Sequence, residues 1–562
     1  MSMKYIDLIN VYSSLEKTTS KLEKASIISK FLKNIENIDE LKITVSLIEG
    51  RVFPKYKQIE LGVATQLMIK AISKSTGFSP SQIEDLFREM GDLGTVAEYC
   101  IAHMKQKIFM KKSLSLKDVF ENMQKIGLAS GEGSQEKKLL LISYLLNNSQ
   151  PIEAKYIVRT ILEELRIGVA EGILIDAISE AFLGGKENRN FVEFAWNILT
   201  DFSEVAAIAK ESGKDGLLNV KPVLGRPIQV MLGLAAESIE DVVKEYPNVI
   251  CEFKYDGFRA QIHKDFDKIW IFSRRQEDVT AQFPDLVEFC KENIKAVQCI
   301  VEGEAWAIDK DGNPLPFQKL SQRIHRKYDI EKMVKEIPVQ LNLFDIVYLD
   351  GKTLFNISLN ERRSILVKIV KEEERKIKIA DSIIPKNVEE IKEFYKKAKE
   401  LKQEGIMIKN LDAPYIFGRH VGGWYKIKET MESLDLVIIG ATWGEGARAK
   451  WLTSYLLACR DEDTGKLLPC GMMSTGLTEE EYQMFTDILK KLIIKQSGRE
   501  VIVKPQIVIE VGYQEIQKSP NYESGYALRF PRFIRIREDK SVEECDTLSR
   551  LESLFLSQGR KG

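Results

Sequence analysis

The sequence predicts a multidomain protein: an all-α N-terminal domain, a mixed α+β central domain and a small closed C-terminal β-barrel. Three observations predict it. At 562 residues the chain is too long for one compact core. Its hydrophobic period is helical up to about residue 215 and strand-like from about residue 246. Between the two lies Lys221-Pro222-Val223-Leu224-Gly225-Arg226-Pro227, a Pro/Gly-rich connection. The expected boundaries are 1–215 (helical), 216–245 (linker), 246–430 (α+β) and 431–562 (barrel).

In the helical part, Ile157, Val158, Ile161, Leu162 and Leu165 recur at the spacing of one helix face. Loops are expected at 131–134, 147–151 and 184–185, and Ser212-Gly213-Lys214-Asp215-Gly216 breaks the helical pattern. In the central part, apolar runs bounded by turn residues predict strands over 250–262, 268–273, 299–308, 339–348 and 405–409. Helical patterns fall near 360–375 and 387–402. Short strands over 434–440, 453–459, 508–513 and 532–537 suit a small barrel.

Hydrophobic content of 44% and charged content of 29% fit a soluble globular chain. With a net charge of -1, any nucleic-acid surface must gather its basic groups on one face. The 7 cysteines are scattered with no Cys-x-x-Cys pair, which argues for a reducing compartment and against a zinc site or disulfide frame. No run is long enough for a membrane span, and the N-terminus lacks a signal-peptide core. A soluble cytoplasmic protein is expected.

Chemistry concentrates in Cys251-Glu252-Phe253-Lys254-Tyr255-Asp256-Gly257-Phe258-Arg259. The apolar run places Lys254 in mid-strand. A lysine that attacks phosphorus must present an unprotonated amine, a state favoured by burial and neighbouring cations. Gly257 would let the backbone approach a ligand, and Arg259 could hold phosphate in its planar fork. The alternative is an amphipathic strand with a solvated lysine.

Later stretches add to this. Arg274 follows a strand end, suited either to a phosphate or sugar or to a turn pairing with Glu277 or Asp278. Glu302 and Glu304 share one strand face, where carboxylates can hold Mg²⁺ or a ribose hydroxyl. Phe344 is either core or a stacking plate. Lys409 lies on the opposite strand face from Glu404. Lys426 and Lys428 share a face, which suits an anion between them or a solvated edge strand.

Lys254-x-Asp256-Gly257-x-Arg259, Glu304-Ala305, Phe344-Asp345-Ile346, Glu404-Gly405-Ile406-Met407-Ile408-Lys409 and Trp424-Tyr425-Lys426-Ile427-Lys428 resemble motifs I, III, IIIa, IV and V of ATP-dependent DNA ligases. These belong to the covalent nucleotidyltransferase superfamily. The string from Leu528 to Lys540 resembles motif VI of the replicative type. Residues 158–169 look like the helical DNA-binding domain of archaeal and eukaryotic replicative ligases, so the resemblance spans essentially the whole chain.

The resemblance implies an all-α DNA-binding domain, an α+β nucleotidyltransferase (adenylation) domain and a C-terminal OB-fold. It implies ATP and Mg²⁺ (Mn²⁺ as a substitute) as cofactors. Lys254 is then the nucleophile that forms lysyl-AMP. Glu252 and Phe344 frame the adenine, Arg259 and Glu304 contact the ribose, and Arg274 lies near phosphates or sugar. Glu304 and Glu404 face the metal. Lys426 and Lys428 hold the α-phosphate. Arg419 completes the nucleotide site, although it stands seven residues before Lys426, one more than the family spacing. Gln229-Val230-Met231-Leu232-Gly233 also departs from the family's Pro-Met-Leu-Ala string. Arg529, Arg532, Arg535, Arg537, Asp539 and Lys540 close over the β- and γ-phosphates. Arg159, Arg166 and the Gly168 amide are candidate DNA-backbone contacts, Arg166 alternatively capping a helix.

The implied reaction seals nicks in duplex DNA, in replication, repair and recombination, by a monomer associated with the nucleoid. Gln106-Lys107-Ile108-Phe109-Met110 is similar to a Gln-Lys-x-Phe-Phe sliding-clamp contact, or is ordinary helix or loop. Two other classes compete: an RNA ligase or capping enzyme, which shares motif I, and a DNA-binding scaffold with a dead core. The helical domain and the motif VI string count against the first, and the intact motif lysines and acids against the second. An NAD-dependent ligase would carry a four-cysteine zinc module, absent from this sequence.

Overall fold

Side-chain oxygens of Ser20, Asn37, Ser79, Asp92 and Ser115 take up backbone amides at five helix starts. Gly91 ends one of these helices and Gly77 ends the helix Thr65–Thr76, both in the left-handed conformation, at φ 69 and 78. In the computed structural model, residues 3–104, 113–236, 238–315, 317–324, 326, 328–418, 422–428 and 433–557 are described. The proposed clamp string 106–110 and Arg419 lie outside them. Up to Leu218 the described chain is helices and short turns around one apolar core, into which Tyr5, Tyr12, Ile157 and Phe202 are buried.

Two expectations for this part change. The helix carrying the stripe runs Pro151–Ile161 and is capped at Leu162. Glu163 and Arg166 then adopt positive φ, so Leu165 reaches the core from a loop. The break after residue 211 is a kink at Gly213 (φ 58, ψ -146), beyond which the helix resumes to Leu218.

The central part holds two sheets. Its strands are β1 (Leu234–Ala235), β2 (Val249–Lys254), β3 (Phe258–Asp265), β4 (Lys268–Phe272), β5 (Gln298–Ala307), β6 (Val339–Leu349), β7 (Lys352–Thr353), β8 (Ile377–Ile379), β9 (Ser382–Ile383), β10 (Gly405–Asn410) and β11 (Trp424–Lys428). The first sheet runs β1-β11-β10-β2-β9; the second runs β4-β3-β5-β6-β7, with β8 on β6. The single run expected over 250–262 is therefore two strands in different sheets. Lys254 ends β2 instead of lying mid-strand.

Gly257 permits the crossing. A Cβ there would stand 2.3 Å from the Ala305 carbonyl oxygen, so the close approach expected of this glycine is to protein backbone. The stretch read as a linker also contributes structure. It carries β1 and the helix Ile239–Glu245, and Arg226 is buried over the Tyr56 ring while bonding Glu204 at 2.6 Å.

One face of the second sheet is apolar. Ala260, Ile262, Val301, Ala305, Leu341 and Ile346 pack with Leu286 and Leu366 of helices Pro284–Asn293 and Leu359–Ile369. The other face is polar, with Arg259 paired to Glu304 and Gln261 to Glu302 in register. His263, fully buried here, accepts from the Gly225 amide at Nδ1 (3.3 Å) and donates from Nε2 to Gln261 (3.0 Å).

Burial pushes the His263 imidazole down to about 3, below its unfolded value near 6.5. The neutral ring therefore contributes stability that is complete above pH 6.5 and is lost as pH falls toward 3. By pH 4.5 the loss is roughly 2–3 kcal/mol. Chemical denaturation of wild type and His263→Leu at pH 7 and 4.5 checks this. Equal losses in both proteins would refute it.

The C-terminal part is sheet-rich. Its strands are β12 (Leu434–Trp443), β13 (Leu452–Arg460), β14 (Leu467–Met473), β15 (Ile493–Ser497), β16 (Glu500–Val503), β17 (Val508–Gly512), β18 (Glu515–Lys518), β19 (Tyr526–Arg529) and β20 (Arg532–Ile536). An antiparallel ladder runs β14-β13-β12-β16-β15, with β17 on β12 and β20 on β17; β18 and β19 form a separate pair. Among the described residues no strand ladder joins the ends. The expected closed barrel is thus replaced by a branched sheet around Leu436, Tyr455, Phe485 and Val511. β12 is long enough to hold β16 at one end and β17 at the other.

Candidate active site

Lys254 is half-buried at the end of β2, where the chain turns through Tyr255, Asp256 and Gly257 into β3. Tyr255 braces this turn: its hydroxyl donates to Asp381 and accepts the Asp381 amide, both at 3.0 Å. A Cβ on Gly257 would come within 3.1 Å of Glu304 Cγ, so Glu304 borders the turn just after Lys254. Register also pairs Glu304 with Arg259.

Beside the turn lies a floor of rings and buried ions. Phe344 and Trp424 meet edge to face, with centroids 6.0 Å apart. The Arg259 guanidinium carbon is 5.3 Å from the first ring centre and 5.8 Å from the second. Lys409 Nζ stands 4.2 and 4.1 Å from the same two centres. Burial pushes the Lys409 ammonium down, opposed by Glu252. That carboxylate bonds Lys409 through one oxygen and Arg363 through the other. Arg363 is itself fixed by the Ala380 carbonyl (2.9 Å) and Ser382 (2.8 Å).

The Glu302–Glu304 pair divides its work. Glu302, fully buried, is held by Arg259 at 2.6 Å, Gln261 at 3.2 Å and the Tyr415 hydroxyl at 2.9 Å. It is thus committed to protein, and Glu304 is the half-buried partner of the pair. Lys426 is half-buried on β11, in register with Ala235 of β1. Lys428 ends the same strand, its side chain outside the described set. Glu404, half-buried, immediately precedes β10.

Three family models match successive parts of this chain: DNA ligase N terminus over residues 4–179, ATP dependent DNA ligase domain over 230–428, and ATP dependent DNA ligase C terminal region over 448–540. The DNA ligase of Nanoarchaeum equitans is 47% identical and that of Archaeoglobus fulgidus 43%, each alignment covering 99% of both chains. The chain belongs to the ATP-dependent DNA ligase family. A DNA ligase of Thermococcus onnurineus is likewise 47% identical over 99% of both chains. Among solved structures, one described as Pmar-Lig_Pre has a TM-score of 0.59 at 16% identity, covering 94% of this ligase and 99% of that chain, a likeness of fold.

The other expected residues of the ligase are distributed as follows. Arg274 is exposed in the turn after β4; Glu277 there bonds Ser273 and Asp278 bonds Thr280, so the turn acids are engaged elsewhere. Arg159 is not available to a DNA backbone. Its buried guanidinium bonds Asp92 at 3.0 and 2.8 Å and also Glu16, tying three helices together. Arg166 pairs with Glu164, and with Gly168 it lines a cavity of about 500 Å³ alongside Glu49, Arg51 and Leu165. Lys24 holds the Ile167 and Gly168 carbonyls at 2.6 and 3.1 Å. Burial pushes Glu49 in the cavity wall up to about 7.

The motif VI cations meet acids of their own sheet. Arg529 pairs with Glu515 (3.2 Å), Arg535 with Glu510 (2.7 Å), and Arg537 and Lys540 with Asp435 (2.7 Å each). Arg537 also grips Asp539, holding it well below the usual carboxylate range; Arg532 is exposed. Sequence reading missed Tyr415, Arg362 and Arg363. Nothing in the sequence marks Tyr415, and the adjacent arginines look like the ordinary charged face of a helix.

Proposed function

We infer that the protein is an ATP-dependent DNA ligase that seals nicks in duplex DNA. The observation that carries this reading is Lys254 at the end of β2, two residues past the Glu252 that bonds Lys409 over the Phe344 and Trp424 rings, in a chain matched over 99% of its length by a DNA ligase. Lys254 Nζ attacks the α-phosphorus of ATP, an N–P bond forms and pyrophosphate leaves. AMP passes to the 5′-phosphate at a nick. The 3′-hydroxyl then attacks that phosphorus, and AMP departs as the strand closes.

The residues present fit a nucleotide. Phe344 and Trp424 offer π surface, and Arg259 keeps one buried N–H with no protein partner among the described residues. Arg259 and Glu304 contact the sugar on this reading, with Glu252 facing the adenine edge and Lys426 and Lys428 the α-phosphate. Glu304 and Glu404 supply the one or two carboxylates that an ion of the Mg²⁺ type takes besides phosphate oxygens. Such an ion, when bound, neutralises charge on the phosphoryl oxygens.

Further readings belong to this proposal. An OB-fold is supported by a lone bridge between Thr475, just past β14, and Arg532 of β20, which draws the sheet's outer strands together. Arg166 and the Gly168 amide remain the proposed backbone contacts in the helical domain. No helix among the described residues is long and apolar enough to cross a membrane.

The test is sealing of a nicked duplex with each nucleotide supplied separately, beside RNA ends as competing acceptors. Sealing of DNA with ATP is expected. Transfer to RNA ends but not to nicked DNA would favour the RNA-ligase or capping reading instead.

A further inference from the structure

Arg259 is held in a closed ring of hydrogen bonds. Its Nη2 donates to Glu302 at 2.6 Å, and its Nη1 donates to the Met231 carbonyl. The Met231 amide in turn donates to the Tyr415 hydroxyl at 3.0 Å. That hydroxyl closes the ring by donating to Glu302, 2.9 Å from both carboxylate oxygens. Burial first, and the Glu302 charge second, push the Tyr415 phenol well above its ordinary value, so the proton stays on it.

Four segments distant in sequence meet in this ring. They are the chain entering the domain (Met231), β3 (Arg259), β5 (Glu302) and the stretch before β11 (Tyr415). Tyr415 is itself wedged among Phe355, Phe417 and Trp424. The ring takes both terminal nitrogens of the guanidinium. It leaves Nε buried with no partner among the described residues, in a plane beside Phe344 and Trp424. An unmet buried donor is costly unless a ligand meets it.

We propose that Tyr415 is a positioning residue for nucleotide binding: through Glu302 and Met231 it fixes the Arg259 guanidinium so that Nε faces the bound nucleotide. This rests on the reading of Arg259 as a nucleotide contact. Without the hydroxyl, Glu302 keeps its bonds to Arg259 and Gln261, but the Met231 amide loses its acceptor, and the two groups that hold the guanidinium, Glu302 and the Met231 carbonyl, lose their common brace. Arg259 is then present but misaligned, the case in which small displacements cost affinity.

The test is self-adenylation of the full chain with labelled ATP, in wild type, Tyr415→Phe, Arg259→Lys and the double variant. Tyr415→Phe is expected to raise the half-saturating ATP concentration about tenfold, while the rate at saturation changes less than about twofold. Arg259→Lys should raise it at least as much, and the double variant should be no worse than Arg259→Lys alone. Glu302→Gln, which keeps the shape of the side chain, should move ATP affinity in the same direction as Tyr415→Phe even if the latter folds poorly. If Arg259→Lys leaves ATP affinity unchanged, the nucleotide-contact reading and the proposal fall together. If Arg259→Lys acts but Tyr415→Phe and Glu302→Gln change only the melting temperature, or if the effects add in full, the proposal alone is overturned.

Discussion

Lys254→Ala is expected to lower covalent capture of AMP from ATP by three orders of magnitude or more, to background in a gel assay. The same variant should still join a nick whose 5′-phosphate already carries AMP. In the proposed mechanism the two outcomes separate because the amine acts only as the attacking atom and first acceptor. Once AMP is on DNA, the remaining bond is made by the 3′-hydroxyl. The position of Lys254 makes a substitute nucleophile implausible on physical grounds. Lys409 is buried and committed to Glu252, and Lys426 belongs to another strand of the sheet. Acid-labile label on the alanine variant at anything near the wild-type level would remove the basis of the catalytic assignment.

Arg362→Ala is expected to destabilise the adenylation domain by about 3–5 kcal/mol. Arg362 and Asp345 are both fully buried and form a two-pronged ion pair at 2.8 and 3.0 Å. Arg362 also donates to the Ile357 carbonyl at 2.7 Å and stands 5.6 Å from the Tyr415 ring centre. Removing it strands a buried carboxylate, which among the described residues keeps the bond from the Ile346 amide. Most of the cost is that uncompensated charge, not a lost attraction. The paired replacement Arg362→Met with Asp345→Leu should therefore cost much less than Arg362→Ala. Urea unfolding of the variants measures both. A loss below about 1 kcal/mol for Arg362→Ala would contradict the charge argument.

The motifs were legible because the chemistry leaves unusual residues in apolar runs. Lys254 ends a strand, and Glu304, Lys409 and Lys426 each interrupt one, that packing alone would fill with valine or isoleucine. Apolar runs bounded by turn residues located β4, β5, β6, β10, β12, β13 and β17, most of whose residues are buried. The run containing Lys254 misled for a related reason. Both of its strands are apolar, and periodicity carries no sign that the chain changes sheets at Gly257. Arg159 misled for the opposite reason. A basic residue late in a helix of a domain expected to bind DNA looks like a phosphate contact until Asp92 and Glu16 are found bonded to it.

By itself, then, the sequence determined the family and the chemical class, through the identity, order and spacing of the motif residues. These depend on residue identity and local period. Only the tertiary structure decided which charges are spent. Glu302, Asp345, Arg362 and Lys409 look as available along the chain as Glu304 or Arg274, yet partners from 17 to 157 residues away in sequence neutralise them in a buried interior. Burial and pairing arise between distant segments, and local sequence does not encode the distance at which they meet.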